Sequence, residues 1–350
     1  TTAQKDAVRR AFDYYGKLVN VTFSEAAGDG TGDINFGTNN QSGSSSAGYA
    51  NNPNGSATKD RAYLYLANDQ ATNGDAGMQE GGYGWLTILH EIAHTLGLKH
   101  PGNYNAGGGG TPGPYLPANA DDRQHTIMSY KDNNVSRGAN SSTPMLYDIA
   151  ALQYLYGANQ GASTATNGTF AFSAGGGILK TLWSTNGTDT IDLSQLTHSS
   201  SVNLNAGTYS SINITAPAAS STACTGNNNV ALAYGSAINA VTLSATAGVA
   251  ESVTLNGAYK TGAFDTITSF EAGSDRLLLS KSLFGKLTAK NIAFGSAATT
   301  AATRIFVNNA TGAIYYDADG SGTKSAAKKI AQLYTVGHAA LGIGDIAFVA

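Results

Sequence analysis

The 350-residue chain has one cysteine, Cys224, so no disulfide can close within it. A fold without disulfides, were it exported, would have to hold by its core, by metal or by stacked repeats. Charge is scarce as well: Asp, Glu, Lys and Arg make up 12% of the residues, and the formal net charge is −3. No basic stripe points to nucleic acid, and no acidic run points to a disordered tail. No apolar run reaches the roughly 20 residues that a membrane helix needs, so no membrane span is expected. The opening segment TTAQKDAVRRAFDYYG is charged and amphipathic and does not read as a signal peptide. Any leader is expected to be absent or already removed. Helical periodicity is the last scarcity, because it nearly vanishes after about residue 160.

Hydrophobic residues reach 41% and glycines number 43, which suits a real core built from many short strands and turns. Residues 3–19 read as an amphipathic helix, with Ala7, Ala11, Tyr14, Tyr15 and Leu18 at three- and four-residue spacing. VTFSEA (21–26), DINFGT (33–38) and AYLYLA (62–67) read as strands. A second helix starts near Gly84 and stops at Gly97. A loop rich in Gly, Pro and Asn fills 101–122. A third helix covers 144–156, with Pro144 in its first turn. The remainder alternates short β-type runs with Gly, Asn, Ser and Thr. This predicts an α+β domain over 1–160 and an all-β domain over 161–350.

Residues 90–100, HEIAHTLGLKH, carry the chemistry. On a helix, positions i and i+4 share a face, so His90 and His94 can point at one metal ion. Glu91 is turned about 100° from His90 and can reach a water beside the metal without being a ligand. Gly97 tolerates the left-handed conformation that ends the helix and brings His100 back to the same point. Three neutral imidazoles with an open position describe a catalytic zinc site. Such a site activates water and polarises a carbonyl, with Glu91 as general base, and the implied reaction is peptide hydrolysis. HExxH alone arises by chance in many proteins; the longer HExxHxxGxxH is far more restrictive. Downstream, HTIMSY (125–130) offers Met128 as a hydrophobic floor under the metal and Tyr130 two residues on.

With these motifs, the sequence resembles the metzincin zinc endopeptidases, and among them the serralysins. HEIAHTLGLKHPGNYNAG, DDRQHTIMSY and PMLYDIAALQYLYGAN follow the serralysin pattern in the same order, as does VNVTFSEA followed by DINFG. The resemblance implies a metzincin catalytic domain with zinc on His90, His94 and His100, Glu91 as base, and a Met-turn at Met128. It further implies that Tyr130 is a zinc ligand in the resting enzyme and a partner of the oxyanion in the transition state. By the same resemblance, AYLYLA is the edge strand that pairs with an extended protein or peptide substrate. A proteinaceous inhibitor is a further possible partner. The family has an aromatic residue where this chain has His125, which reads as structural; His198 and His338 lack ligand spacing. The family also places a strand before the first helix, whereas this chain opens almost at the helix.

The second half resembles the serralysin C-terminal region more loosely, through LWSTNGTDTIDLS, LAYGSAINAVTLSA and FDTITSFEAGSDRLLLS. The family's tandem calcium-binding nonapeptides of a parallel β-roll are missing. The expected fold of this part is β-roll or β-sandwich-like without those repeats. Ser184 and Asn239 stand where the family carries acidic residues. Calcium is a second expected cofactor only through Asp189, Asp317 and Asp319, and the 317–321 turn reads equally as a plain hairpin. An apolar core of Val202, Leu204, Ile212, Ile214, Val241, Leu243, Val253 and Leu255 is expected to hold this half instead. Asp345 followed by IAFVA resembles the terminus of type I secretion substrates, which implies export from a Gram-negative bacterium. The leading expectation is a secreted zinc endopeptidase. The alternatives are a processing protease for one partner protein, and a non-catalytic surface- or calcium-binding β-protein with a relic protease domain.

Overall fold

The computed structural model of the chain describes residues 1–28, 30–41, 46–51, 61–105, 109–110, 112–173, 178–215 and 224–350. The chain forms two compact units. The first comprises 1–164, 177–183 and 216–234; the second comprises 165–176, 184–215 and 235–350. The sequence pattern changes near the first crossover. The return of 177–183 and 216–234 to the first unit is a long-range choice that local periodicity does not record.

In the first unit, α1 (Thr2–Leu18) starts with a capping box: Thr1 Oγ1 accepts from Gln4 N, and Gln4 Oε1 accepts from the Thr1 amino group. Its buried stripe is Ala7, Ala11, Tyr15 and Leu18. The sheet contains β1 (Ile34–Asn39), β2 (Gly48–Asn51) and β3 (Ala62–Ala67). Helix α2 (Tyr83–Thr95) is apolar nearly all round and buried accordingly, with Ile88, Leu89, Ile92 and Ala93 fully enclosed. Tyr15 ties α1 to it by donating its hydroxyl to Leu89 O at 2.6 Å. Helix α3 (Leu146–Tyr156) packs on the same core through Ile149 and Leu152. Lys180–Leu182 and Val230–Leu232 add a parallel pair.

Two strand expectations change. Residues 21–26 form no strand. Val21 and Phe23 instead lean on the core, with the Phe23 ring 5.1 Å from that of Phe12. An alternating apolar pattern shows which side chains are buried, not whether the backbone finds a ladder partner. Residues 62–67 do form a strand, but β3 is the central one. It pairs in parallel with β1 and antiparallel with β2, so both its edges are occupied. It is therefore not the edge strand on which an extended substrate could pair. Its high content of β-formers suits a strand flanked on both sides. The edge that lies against α2 belongs to β2. Gly48 permits this approach, because a Cβ there would stand 2.8 Å from Thr87 Cγ2.

In the second unit, successive strands alternate between two sheets. Thr190–Gln195, Ala240–Thr242, Asp265–Phe270 and Lys328–Thr335 line up in parallel in one. Ser201–Asn203, Ser252–Thr254, Arg276–Ser280 and Ile346–Val349 do so in the other. Each winding of the chain thus adds one strand to each sheet. Of the expected core residues, Val202, Leu204, Ile212, Val241, Leu243, Val253 and Leu255 are buried, and Ile214 is half-buried. The turn that begins at Asp317 is not a tight hairpin. It opens the longer connection 317–327 between two antiparallel strands, Ala313–Tyr316 and Lys328–Thr335. Among the described residues, no helix is long and apolar enough to cross a membrane.

Candidate metal centre and cleft

His90 and His94 lie one turn apart on α2 and share a face. The helix ends at Leu96. Gly97 adopts φ +95°, and Leu98 N returns to Ala93 O at 2.9 Å, which turns the chain toward His100. His100 Nε2 stands 3.2 Å from both His90 Nε2 and His94 Nε2. Among the described residues, this trio is the one cluster of three or more His, Cys, Asp or Glu able to hold a metal ion.

The far side of each ring fixes its tautomer. His90 Nδ1 donates to Ile127 O at 2.8 Å, and His94 Nδ1 donates to Leu98 O at 2.8 Å. His100 Nδ1 faces Tyr104 O at 3.0 Å and Asn105 Oδ1 at 2.8 Å. With the proton on every Nδ1, the three Nε2 atoms carry lone pairs and face one another with no hydrogen to share. Burial lowers the basicity of all three rings, His94 down to about 4, so each stays neutral at pH 7. Three lone pairs converging in a buried site repel unless a cation lies between them. Nitrogen ligands about 2.0–2.1 Å from a tetrahedral zinc stand roughly 3.3–3.4 Å apart, close to the spacing seen here. The donor set fits zinc.

On the His90 side of the trio lies a cleft of about 340 Å³ lined by Gly48, Tyr83, Leu86, His90, Glu91, Arg123 and Tyr130, among others. Glu91 is buried. Desolvation lifts its carboxyl to about 8, against a hydrogen bond from the backbone of Ala50 in β2. Tyr130 is 44% exposed, its ring centroid 4.6 Å from that of His100 and 5.2 Å from that of Tyr104. Burial pushes its hydroxyl up to about 12. Met128 is buried in the core, and Met128 N donates to Thr126 Oγ1 at 3.0 Å. His125 stands apart from the trio: its Nδ1 meets Asp122 Oδ1 at 2.8 Å and its ring stacks on Tyr147.

The calcium candidates hold local turns. Asp189 Oδ1 accepts from Asn186 Nδ2 at 2.9 Å. Asp319 accepts from the backbone of Lys324 and Ser325, and Asp317 from that of Asp319. The Asp317 and Asp319 carboxyls lie side by side, and among the described residues none of the three joins a cluster of three or more His, Cys, Asp or Glu.

Several residues of the site lie in the segments quoted for the resemblance, but the sequence reading gave them no role. Asp148, on α3, accepts from Thr126 Oγ1, Ile127 N and Met145 N. Asp121 accepts from Tyr104 at 2.5 Å, from Ser129 at 2.7 Å and from Lys131 at 2.5 Å. Arg123 lines the cleft. Their signal is their place in DDRQHTIMSY, for Asp121 and Arg123, and in PMLYDIAALQYLYGAN, for Asp148.

A family profile described as peptidase M10 serralysin C terminal matches residues 148–313. Serralysin of Proteus mirabilis is 35% identical over 237 residues, which covers 60% of this chain and 48% of the relative. Metallopeptidase AprA of Pseudomonas marginalis is 34% identical over 229 residues, with the same two shares. The chain is similar to serralysins. Serralysin C of Dickeya chrysanthemi, 33% identical over 239 residues, extends the likeness to a third genus. The chain spans about half the length of the curated relatives it matches. The names place these relatives among metallopeptidases, and a metal-competent histidine trio is the feature such a likeness calls for.

Proposed function

We propose that the chain is a zinc-dependent endopeptidase of the serralysin kind. The observation that carries this reading is the convergence of three neutral Nε2 atoms beside a buried carboxylate in an open cleft. His90, His94 and His100 would hold the ion. Bound there, zinc supplies Lewis acidity toward a peptide carbonyl and acidifies water.

The protein's own groups do the rest. Glu91 accepts a proton from water as a carboxylate, a form that a dication held by the three histidines would favour against the desolvation of its carboxyl. Glu91 then delivers that proton to the leaving amine. The Tyr130 hydroxyl, at the exposed rim of the trio, hydrogen-bonds the oxyanion of the tetrahedral state. The substrate lies extended along β2, whose Ala50 already meets Glu91, rather than along β3. Met128 belongs to the buried segment that carries Ile127, the partner of His90. Export from a Gram-negative cell accords with a fold that needs no disulfide.

Bound zinc and casein hydrolysis, measured together for the wild type and for Glu91→Ala, test the reading. The expected result is about one zinc per chain in both. Cleavage should occur in the wild type and fall by three or more orders of magnitude in the variant. Absence of zinc from the wild type, or full activity in Glu91→Ala, would overturn it.

A further inference from the structure

The cleft holds one cation that the reaction does not use. Arg123 lines the same cavity as His90, Glu91 and Tyr130, on the segment that leads into the Met128 turn. We propose that Arg123 is a specificity residue that selects an acidic side chain next to the cleaved bond. This rests on the endopeptidase reading and names the substrates it favours.

Two observations support the role. First, the guanidinium is poorly matched inside the protein. Its one ion pair among the described residues runs from Nη1 to Asp132 Oδ1 at 3.5 Å, and Asp132 is itself well exposed. A guanidinium offers five donors in a planar fork that suits two carboxylate oxygens at once, so most of its capacity is unused. Second, the hydrogen bonds that hold the loop at this residue do not use the side chain. The loop is held at this residue by its backbone: Arg123 N donates to Lys131 O at 2.9 Å, and Arg123 O accepts from Ser141 Oγ at 3.0 Å. Any residue can make those two bonds, so they do not explain an arginine.

The neighbouring cation does not compete for this role. Lys131 Nζ is spent on Asp121 at 2.5 Å and lies over the Tyr104 ring. The acidic group of the cleft, Glu91, serves the proton transfer. A neutral peptide leaves the Arg123 charge, on a side chain only 18% exposed, without a close partner, whereas an Asp or Glu side chain that reaches it forms a forked, charge-assisted pair in a partly dry wall.

The test is cleavage-site profiling of the zinc-loaded enzyme on a peptide library with every residue represented at three positions on each side of the bond. Matched Asp and Asn peptides then give kcat/KM ratios. The wild type should enrich Asp and Glu at one flanking position, with an Asp/Asn ratio of about ten or more. Arg123→Gln should bring that ratio near one, and Arg123→Glu should turn the preference to Lys and Arg. Asp132→Asn, which frees the guanidinium, should raise the Asp/Asn ratio above the wild type. A purely structural arginine would not produce an inverted preference or that gain. Melting curves establish that the variants fold. Cleavage without acidic enrichment, or enrichment that survives Arg123→Gln, overturns this inference and leaves the endopeptidase standing. No cleavage of any library peptide by the zinc-loaded wild type overturns both.

Discussion

The buried carboxylate of Asp148 accepts from Thr126 Oγ1, Ile127 N and Met145 N, while Ile127 presents its carbonyl to His90 Nδ1. One residue on α3 therefore fixes the segment that orients a metal ligand on α2. Replacing it with alanine strands two buried backbone N–H groups, at roughly 1–3 kcal/mol each. Asp148→Ala is expected to lose about 2–4 kcal/mol of stability in denaturant melts. It should also weaken zinc binding about 10- to 100-fold in a competition titration, as the loss of a second-layer partner does elsewhere. Unchanged zinc affinity with the stability loss intact would mean that the Ile127 contact does not orient His90. The contrast with the histidines explains what the sequence can reveal. His90 and His94 announce themselves because helical spacing is a local rule, and Gly97 because only a left-handed residue turns there. Asp148, Asp121 and Arg123 act across tertiary contacts, and no spacing encodes those.

At the scale of elements, the bounds of β3 are legible in AYLYLA, but its place in the sheet is not. Which strands flank it depends on chain returns from 34–39 and 48–51. A central strand and an edge strand can share the same alternating pattern. The helices are easier to read, since α1, α2 and α3 each bury a continuous local pattern, and α2 and α3 end at Gly97 and Gly157. The corrected assignment has a consequence for substrate binding. In an antiparallel ladder, alternate residues point their N–H and C=O groups to one side, so pairing on β2 would use every second residue of a bound peptide. An N-methyl scan along a cleaved peptide, leaving the scissile amide intact, should therefore show a two-residue period. Methylation at sensitive positions removes a hydrogen bond worth about 0.5–1.5 kcal/mol and adds a clash, so kcat/KM should fall tenfold or more there. Positions between them should change little. A flat profile would remove strand pairing from the account.

For the chain as a whole, the second unit combines an apolar interior with buried carboxylates that its windings share. Asp275 accepts from Glu251 N and Glu271 N, Asp345 from Gly273 N and Gly342 N, and Glu251 from Ser244 N. Two of the carboxyls in this unit are only half satisfied: Glu251 Oε1 and Asp265 Oδ1 are buried with no hydrogen-bond partner. Desolvation, the largest cause in each, raises both to about 7. The folded state then holds more protons than the unfolded state between about pH 4 and 7. Their contribution to stability is full below the unfolded carboxyl range and is lost as pH rises through about 7. Groups held low, such as Asp319, act in the opposite sense as the solution turns acid, so the absolute melting curve mixes both. The difference between wild type and variant isolates the effect. Asp265→Asn keeps an acceptor for Asn256 N, whose bond to Asp265 Oδ2 is 3.0 Å, and removes the charge. At pH 4 it should melt at or below the wild-type temperature. By pH 8 it should melt higher, by about 5–10 °C, if burying the charge costs roughly 2–4 kcal/mol. Glu251→Gln should follow the same course, and the double variant should be the least sensitive to pH. Calorimetry from pH 4 to 8 reads this directly, and parallel curves for wild type and variants would show that neither carboxyl is strained by its burial.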